Sequence, residues 1–353
     1  MSHEGARLSF TAEWIDPAQD YAYKFTLRYY VDDGDVELIE DKRKKVYLRK
    51  CAPQRPISLS DLYVGATVTV YSRRLTLTGY ADEKTSRAVR EKREETFVMV
   101  VGRDASRVGR CVAAMQGAGM TIVDVRTVRF ESSRAEELET ALPRSARALL
   151  VGTACAIRAH GREANAESER LFGDTDIVRS LDEEHARALH ELVTSSRAAR
   201  TDSDRSTLVL VKPSGMANLG AIMDVLVEKR GLELVQARTM ALTRAEAESF
   251  YAVYVDVLDK EEVRLMVEEL SSGTCVALQL TRFDSPETLV DDVREIVGPR
   301  DPEIARTIRP ESLRARFGED KQFNAVHCVD LPEDGPLEVD FFFNLSHRHT
   351  IAA

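Results

Sequence analysis

The sequence predicts an α+β protein in which a small antiparallel β domain precedes two copies of a second, mixed domain. Apolar and polar residues alternate through much of residues 8–78, which is the period of half-buried strands. When the chain is slid along itself, Thr96 falls over Thr207 and Gly109 over Gly220, both at an offset of 111 residues. So long a period indicates a duplicated domain rather than a solenoid repeat.

The leading β domain has its own strand and turn signals. Residues 24–29 alternate strictly, and residues 32–35, Asp-Asp-Gly-Asp, predict a hairpin turn. The charged run at 82–95 contains no large apolar residue except Val89, so we expect a solvated helix or a linker there. These signals predict the first domain at residues 1–90.

The first copy of the duplicated domain is predicted at residues 91–193. Residues 97–101 form a continuous apolar run of strand length, and a helical stretch and a second strand near 121–126 follow it. Polar, small and charged residues then fill the segment between the copies. We expect an exposed linker at 194–206.

The second copy, residues 207–353, has the clearer succession of elements. Residues 243–246 predict a capping box, in which a hydroxyl and a carboxylate each satisfy a free amide at a helix start. The expected strands are 207–211, 232–242 and 275–280, and the expected helices are 219–229, 243–254, 260–270 and one from Ser285-Pro286 to residue 296. This is a βαββαβ-like order, with extra helices, around one antiparallel sheet.

Composition and charge exclude several classes of function. The chain has 49 lysines and arginines against 59 aspartates and glutamates, a formal charge of -10, and neither half carries a sustained basic stripe. Nucleic acid is therefore not expected as a partner. The five cysteines are scattered without a C-x-x-C pair, so we expect reduced thiols and no zinc site. Without a leader pattern or a bilayer-spanning segment, a cytoplasmic or cytoskeletal protein with no membrane partner is expected.

A set of polar and charged residues occurs in a characteristic order. Val211-Lys212-Pro213 ends the first strand of the second copy. The later members are Arg294, Gly298, Arg314, the run 324–330 with Asn324 and His327, and Glu338, eleven residues after that histidine. Residues 207–343 thereby resemble the nucleoside diphosphate kinase family in both order and spacing.

The rest of the chain extends this resemblance. Residues 10–14 and 70–73 of the leading domain are similar to the DM-ten domain. Residues 298–306 and Asp334-Gly335 resemble the doubled, axonemal branch of the kinase family. The resemblance implies a PH-like fold for the first domain and ferredoxin-like βαββαβ folds for both copies.

The resemblance also implies a role for each motif residue. His327 would be the nucleophile that carries the γ-phosphate as phosphohistidine, and Glu338 would fix the tautomer of its ring. The residues that match the family's nucleotide contacts are Lys212, Tyr251, Arg294, Arg300, Arg314 and Asn324. Mg2+ and ATP or another nucleoside triphosphate are the implied cofactors, and no protein metal ligand is expected.

Some positions depart from the family pattern. Cys328 stands where the family has glycine, Val329 where it has serine, and Arg300 where it has threonine. No phenylalanine occurs in residues 255–262 to stack on the base, so we expect weak affinity for the base. The residues alone favour a strand at 337–343, whereas the family has a helix there, which would bring the carboxylate behind the imidazole.

The first copy keeps the predicted elements but loses the chemistry. Val101 occupies the position of Lys212, and the spacing from the preceding Phe-Gly pair matches Asp182 to His327. The segment that corresponds to the nucleotide-covering helical hairpin is also shorter than in the second copy. We expect no phosphotransfer in the first copy.

Three functions follow from the resemblance. The preferred one is structural, a component of the doublet microtubule inside a cilium or flagellum, with tubulin and other doublet-microtubule proteins as partners in the axoneme. A copy that keeps its fold while losing its chemistry favours this role. The second is an active Mg2+-dependent nucleoside diphosphate kinase that works from the second copy alone. The third is a nucleotide sensor that binds without transfer.

Each site residue also has an ordinary structural interpretation. A single histidine at a strand end is more often structural than catalytic. Lys212 and the arginines fit solvated surface charges, Arg300 above all, and Tyr251 on an amphipathic helix fits plain core packing.

Overall fold

The structure, a computed structural model, describes residues 6–16, 21–54, 56–64, 66–71, 73–90, 94–101, 106–130, 152–173, 177–194, 205–229, 232–282 and 286–343. The chain divides into two compact units, residues 1–93 and 94–352. Each unit has its own sheet.

The first unit is an antiparallel sheet followed by one helix. Its elements are β1 (Arg7–Asp16), β2 (Tyr21–Tyr30), β3 (Val36–Glu40), β4 (Lys45–Cys51), β5 (Thr67–Val70), β6 (Arg73–Tyr80) and α1 (Glu83–Arg90), in the strand order β4-β3-β2-β1-β6-β5. The predicted hairpin turn joins β2 to β3, and Gly34 adopts φ of +73° in it, a left-handed backbone that glycine adopts without strain. The prediction of a small antiparallel β domain is confirmed.

The charged run at 82–95 differs from its prediction. α1 is not simply solvated, because Thr85 and Val89 are buried, and the Thr85 hydroxyl accepts a 2.8 Å hydrogen bond from the Ser9 amide. Glu94 and Glu95 already belong to the next strand. The charges of α1 occupy its outer face and hide a short buried face that the charge pattern does not reveal.

The second unit contains both copies. The first copy supplies β7 (Glu94–Val101), α2 (Ser106–Gly117), β8 (Thr121–Phe130), β9 (Gly152–Gly161), α3 (Ala164–Phe172), β10 (Val178–Arg179) and α4 (Glu183–Thr194). The second supplies β11 (Ser206–Val211), α5 (Leu219–Asp224), β12 (Glu233–Ala241), α6 (Arg244–Phe250), α7 (Lys260–Leu270), β13 (Thr274–Thr281), α8 (Leu289–Val297), α9 (Pro302–Ile308), α10 (Leu313–Phe317), β14 (Val326–Cys328) and α11 (Gly335–Phe343).

The two copies form one continuous antiparallel sheet. Its order is β10-β7-β9-β8-β12-β13-β11-β14, so each copy contributes four strands in the same 4-1-3-2 arrangement, and the copies meet at β8 and β12. This is the βαββαβ order around an antiparallel sheet that the sequence predicts for each copy. One apolar core spans both copies on one face of the sheet.

The seam between the copies has a pseudo-two-fold axis. Arg126 and Arg238, which match in the duplication, are register partners across it. The Val125 amide donates to Thr239 Oγ1 at 2.7 Å, and the Ala237 amide donates to Thr127 Oγ1 at 2.9 Å. The two hydrogen bonds join equivalent positions of the two copies. The threonine hydroxyls therefore bond across a junction at which β8 and β12 have one register pair.

The helices beside the seam approach closely at two glycines. A Cβ on Gly109 of α2 would lie 2.5 Å from the Asp224 amide nitrogen, and one on Gly220 of α5 would lie 2.2 Å from that of Ala113. These glycines are the pair that the internal offset aligns. They are therefore equivalent members of one helix contact.

Some element boundaries differ from the predictions. The helix expected at 219–229 is α5 followed by a π-helical turn (Val225–Lys229), and a 3₁₀ turn (Pro213–Asn218) precedes it. The helix expected to reach residue 254 ends at Phe250 and continues as a 3₁₀ turn (Tyr251–Tyr254). Ser285, predicted as a helix cap, lies outside the described residues. Residues 335–343 form a helix, as the resemblance implies and contrary to the strand that the residues alone favour.

None of the helices that the structure describes combines the length and the apolar character needed to cross a bilayer. The longest, α2 and α4, have 12 residues each. On the second copy, α6, α7 and α11 cover the other face of the sheet, over a separate apolar core. The site lies at the edge of that core.

Candidate active site

His327 is held at the centre of a short edge strand. It is the middle residue of β14 and pairs in register with Leu210 of β11. Two residues earlier, Ala325 adopts φ of +66° while its carbonyl accepts a 2.9 Å hydrogen bond from the Lys212 amide. A non-glycine residue in this conformation is strained unless its surroundings fix it. The kink joins the ends of two strands and brings Lys212 and His327 to one place.

Glu338 on α11 lies behind the imidazole. Its Oε2 is 2.8 Å from His327 Nε2, and both side chains are largely buried. A carboxylate can only accept, so Nε2 carries the proton and donates it. In the neutral ring this leaves Nδ1 with a free lone pair, which is the form of histidine that can act as a nucleophile.

Aromatic rings fix the plane of the imidazole. Phe250 lies edge-on to His327 with 5.1 Å between ring centroids, and Tyr251 does so at 6.1 Å. Tyr251 is buried, and burial, with Glu269 adding to it, raises the pKa of its phenol well above the ordinary value. Tyr251 is therefore both a core residue and a neutral wall of the site, and Phe250, which the sequence did not indicate, is the nearer ring.

Lys212 is paired inside the protein. It is only 4% exposed, and its ammonium contacts the carboxylate of Glu269, which is 1% exposed. The ammonium also donates to the Gln322 carbonyl at 3.3 Å, while Ser214 Oγ donates to Glu269 Oε1 at 2.6 Å. Lys212 is thus a buried cation with its own counter-charge and not a solvated surface charge.

The pKa of Lys212 reflects the charges around it. Burial lowers the pKa of Lys212, Glu269 partly offsets the decrease, and Arg314 and Arg300 lower the pKa further by repulsion. Three cationic side chains from separate elements therefore act on one another at this site. Such a concentration of positive charge suits an anionic ligand such as a nucleotide phosphate.

The remaining predicted contacts surround this cluster. Arg314 donates to the carbonyls of Val326 and Gly298, at 3.1 and 2.9 Å. Asn324 is buried and donates to the Arg300 carbonyl at 2.9 Å, and its Oδ1 has no hydrogen-bond partner in the described part of the chain.

The two outer arginines are less constrained. Arg300 is half-buried and forms a 3.0 Å ion pair with Glu262. It is therefore not a free surface charge. Arg294 is exposed on α8 and contributes to the field that acts on Cys328. The site therefore has an inner part, Lys212 and Arg314, and an outer part, Arg294 and Arg300.

The cysteine beside the nucleophile is chemically quiet. Burial raises the pKa of Cys328 to about 11, with Arg314 opposing the rise. The thiol is therefore protonated near neutral pH and does not compete with the histidine as a nucleophile. Near Cys328, Tyr254 donates to Asp330 Oδ2 at 2.5 Å, and burial together with this contact raises the pKa of Tyr254.

The motif did not indicate Glu269 and Ser214. A signal was present, because Glu269 lies beside the apolar positions Val267 and Leu270 of α7, where a carboxylate needs a partner. The family motif assigned Lys212 a role by its position and gave no information on which carboxylate pairs with it.

The first copy has no counterpart of the nucleophile. By register, Val178 of β10 pairs with Met99 as His327 pairs with Leu210, so Val178 occupies the position of His327. The expectation that Asp182 does so is wrong. Asp182 precedes α4, and its Oδ1 accepts from the His185 amide at 2.8 Å. The matching spacing from the Phe-Gly pair is a coincidence of loop length. The shortened hairpin lies outside the described residues.

Within the described ranges, no three His, Cys, Asp or Glu side chains come together in a way that could hold a metal ion. Mg2+ is commonly held by substrate phosphates with few protein carboxylates. Mg2+ would therefore reach this site bound to the nucleotide substrate.

Comparison with known proteins matches a family model to part of each unit. The model of the nucleoside diphosphate kinase family matches residues 205–347, and that of the DM10 domain matches residues 1–85. Nucleoside diphosphate kinase homolog 7 of Rattus norvegicus is 31% identical over 382 aligned positions, which cover 97% of this chain and 94% of the relative. The chain belongs to the nucleoside diphosphate kinase family.

Two further relatives extend the comparison. Nucleoside diphosphate kinase homolog 7 of Mus musculus is also 31% identical, over 97% of this chain and 94% of its own. The nucleoside diphosphate kinase of Aquifex aeolicus is 37% identical over 140 positions, 39% of this chain and 93% of its own length. The chain thus contains a DM10 domain and a nucleoside diphosphate kinase domain, and between them lies the first copy, which shares its sheet with the second.

Proposed function

We propose that the second kinase copy transfers the γ-phosphate of a nucleoside triphosphate to a nucleoside diphosphate through phosphohistidine at His327. The observation that carries the proposal is the 2.8 Å hydrogen bond from Nε2 to Glu338. It holds the ring in the tautomer whose Nδ1 lone pair is free. Without that carboxylate, a buried imidazole has no preferred tautomer and is a poor nucleophile.

The reaction is a pair of in-line displacements. Nδ1 attacks the γ-phosphorus, a nitrogen–phosphorus bond forms, the bond to the β–γ bridging oxygen breaks, and the diphosphate leaves with both electrons of that bond. The proton stays on Nε2 and Glu338 stabilises the charge that the ring gains. The second step reverses the first with a different diphosphate, so no net oxidation or proton transfer is required.

The cationic side chains are proposed to bind the phosphates. Arg314 uses its guanidinium on two backbone carbonyls and has further N–H groups available for an oxygen ligand. Lys212 must share its ammonium between Glu269 and the substrate. Mg2+ enters with the nucleotide and offsets the charge of its phosphates.

Incubation with γ-labelled ATP and Mg2+ tests the proposal. The full chain should become labelled on histidine, giving an acid-labile and base-stable phosphoprotein, and excess diphosphate should remove the label. His327→Ala should abolish labelling. His185→Ala, which removes a half-buried histidine of the first copy, should leave labelling intact.

An unlabelled wild-type chain would contradict phosphotransfer. If nucleotide nevertheless binds, measured by calorimetry with ADP, the second copy would be a nucleotide sensor.

A structural role is a second candidate, favoured by one observation. The first copy keeps its four strands of the shared sheet, although Val178 stands where the second copy has its histidine. A domain retained without chemistry is retained for its surface. We propose that the protein is a component of the doublet microtubule in the axoneme of a cilium or flagellum, with tubulin and neighbouring proteins as partners. Release from isolated axonemes by mild detergent at low salt would contradict this role.

A further inference from the structure

A row of aromatic side chains crosses the sheet of the DM10 unit and carries one arginine. Trp14 stacks on Tyr23 at 5.4 Å between centroids, and Phe25 continues the row to Tyr47, 5.0 Å away. The guanidinium of Arg73 lies 5.1 Å from the Trp14 ring and 4.9 Å from the Tyr47 ring. Aromatic faces attract and orient a guanidinium but leave its N–H groups free for an acceptor. These five residues are called the aromatic row.

Arg73 is incompletely satisfied. Its Nε is buried and has no hydrogen-bond partner in the ranges that the structure describes. Leaving a buried donor unpaired costs free energy that a bound acceptor would recover. A carboxylate is the acceptor whose geometry fits the planar fork of an arginine.

A cavity of about 190 Å³ adjoins this guanidinium. Its walls are mainly apolar, and its lining residues are Leu38, Tyr47, Leu48, Val70, Tyr71 and Arg73. Tyr71 has φ of +55°, and its hydroxyl donates to the Ala52 carbonyl at 3.1 Å, so this wall is held in place. Cavities of roughly 150 Å³ accommodate a benzene-sized group, so one apolar side chain fits here.

The neighbouring edge of the sheet is basic. β4 pairs only with β3 among the described strands. Residues 42–50, which include most of β4, hold six lysines and arginines and no acidic residue. Three of these cations, Arg43, Lys44 and Lys50, form ion pairs with neighbouring acidic residues, and the other three have no ion pair among the described residues. Val46 and Tyr47 on this strand are 52% and 46% exposed. Residues 1–93 carry 17 basic against 14 acidic residues, in a chain whose net charge is -10. Lys45 and Arg49 of β4 therefore remain as cations without an ion pair among the described residues, in a chain of net negative charge.

An alternative explanation for lysines on an edge strand is that they prevent aggregation through that edge. That function requires neither a cavity nor a guanidinium that is stacked between rings and lacks an acceptor. An edge strand beside a side-chain pocket is the arrangement by which domains bind an extended peptide.

We propose that the aromatic row, the cavity and β4 form a docking site for an acidic, extended segment of a partner protein. One apolar side chain of the segment enters the cavity, and a neighbouring carboxylate binds Arg73. The backbone of the segment pairs with β4, and its other carboxylates meet the basic residues of that strand.

Fluorescence anisotropy with the full chain tests the proposal. The probe is a labelled peptide of glutamates around a single leucine. It should bind at low ionic strength and more weakly as salt is added. Arg73→Gln should weaken binding by about tenfold or more, because a hydrogen-bonded charge pair is lost. Arg87→Gln removes an exposed guanidinium of α1, 67% accessible and outside the row, and should leave affinity unchanged.

Three further outcomes decide the matter. Replacing the leucine of the probe by alanine should weaken binding, and equal affinity would overturn the role of the cavity. Equal affinity of wild type and Arg73→Gln would reduce the effect to general attraction by a basic strand and overturn the proposal. Competition by phosphatidylserine vesicles that depends on Arg73 would assign the site to an anionic surface instead and overturn it too.

Two more variants separate these outcomes from other failures. If Arg73→Gln does not fold, as judged by circular dichroism, Arg73→Lys keeps the charge, loses the planar fork, and should still weaken the probe's binding. His327→Ala should bind the probe like wild type, so the result is independent of phosphotransfer.

Discussion

Glu269 changes what Lys212 is able to do. In the buried pair, the ammonium already has a counter-charge and the carboxylate already accepts from Ser214. In the proposed reaction, an arriving phosphate would therefore share the ammonium with a fixed negative charge close by. Because repulsion from that charge would act against nucleotide binding, we expect Glu269 to limit the affinity of the proposed site for phosphate.

Glu269→Gln is expected to destabilise the chain strongly near neutral pH. It leaves Lys212 as a buried cation without a counter-charge, which costs about 3–5 kcal/mol. Burial already lowers the pKa of Lys212, and losing the carboxylate lowers it further. The unfolded chain then binds a proton that the folded variant gives up, so the stability deficit should shrink as pH rises towards the ordinary lysine pKa.

Urea unfolding at several pH values measures this effect. Glu268→Gln is the matched control, because that neighbouring carboxylate is exposed and pairs with Arg264 on the surface. A deficit that is the same in both variants, or that grows with pH, would contradict the buried-pair interpretation.

At this scale the sequence predicts part of the site. The resemblance placed Glu338 on a helix behind His327, and the structure has that geometry. It gave Lys212 a phosphate partner and did not find Glu269. The apolar neighbours of Glu269 indicate a buried carboxylate, but nothing in the sequence shows that its partner is Lys212 in a distant segment. The roles of the site residues themselves remain predictions until the labelling experiment is done.

Among the elements, α2 and α5 depend on their two glycines. The backbones approach so closely at Gly109 and Gly220 that no side chain fits between them. The same closeness lets Gln116 donate to the Met216 carbonyl at 2.9 Å and accept from the Gly220 amide at 2.9 Å. This contact between α2 and α5 stabilises the packing of the first copy on the second.

Gly220→Ala is expected to destabilise residues 94–343 by about 1–3 kcal/mol or more, because the helices must separate. This outweighs the roughly 1 kcal/mol that alanine gains over glycine inside a helix. Gly117→Ala at the end of α2 is the control, since a Cβ there meets nothing within 4 Å. Thermal unfolding compares the two variants, and a Gly220→Ala protein as stable as the control would contradict the close packing.

Element types were easier to predict than their ends. The strands at 207–211 and 275–280 were predicted because buried strands are short continuous apolar runs. The π-helical turn at Val225–Lys229 was not predicted, because it inserts a residue into a helix without altering its apolar character. The helix at 335–343 needed the family resemblance, since its aromatic residues favour a strand.

On the scale of the molecule, the two kinase copies behave as one body. They share a sheet and an apolar core, so neither half buries its own surface completely. The sequence showed the duplication but not the shared sheet. The joint at β8 and β12 relies on threonine hydroxyls and one register pair, which leave no signal in hydrophobic periodicity.

An isolated fragment of residues 205–353 should therefore self-associate. Its exposed β12 edge and α5 face lack the first copy, and an equivalent surface on a second molecule can replace it because the seam is pseudo-symmetric. Light scattering coupled to gel filtration should give a dimer, and Gly220→Asp in the fragment should give a monomer. A monomeric fragment as stable as the full chain would contradict the shared-core interpretation.

The seam has a consequence for how the two copies could diverge. In an assembly of separate subunits, dilution dissociates the partners, and each must keep whatever the other needs for its chemistry. Here the covalent tether keeps the local concentration of one copy around the other at about the millimolar level or higher, whatever the abundance of the protein. The first copy can therefore lose catalytic residues and still stabilise the second copy. We expect selection on the first copy to act on the shape of the seam rather than on turnover.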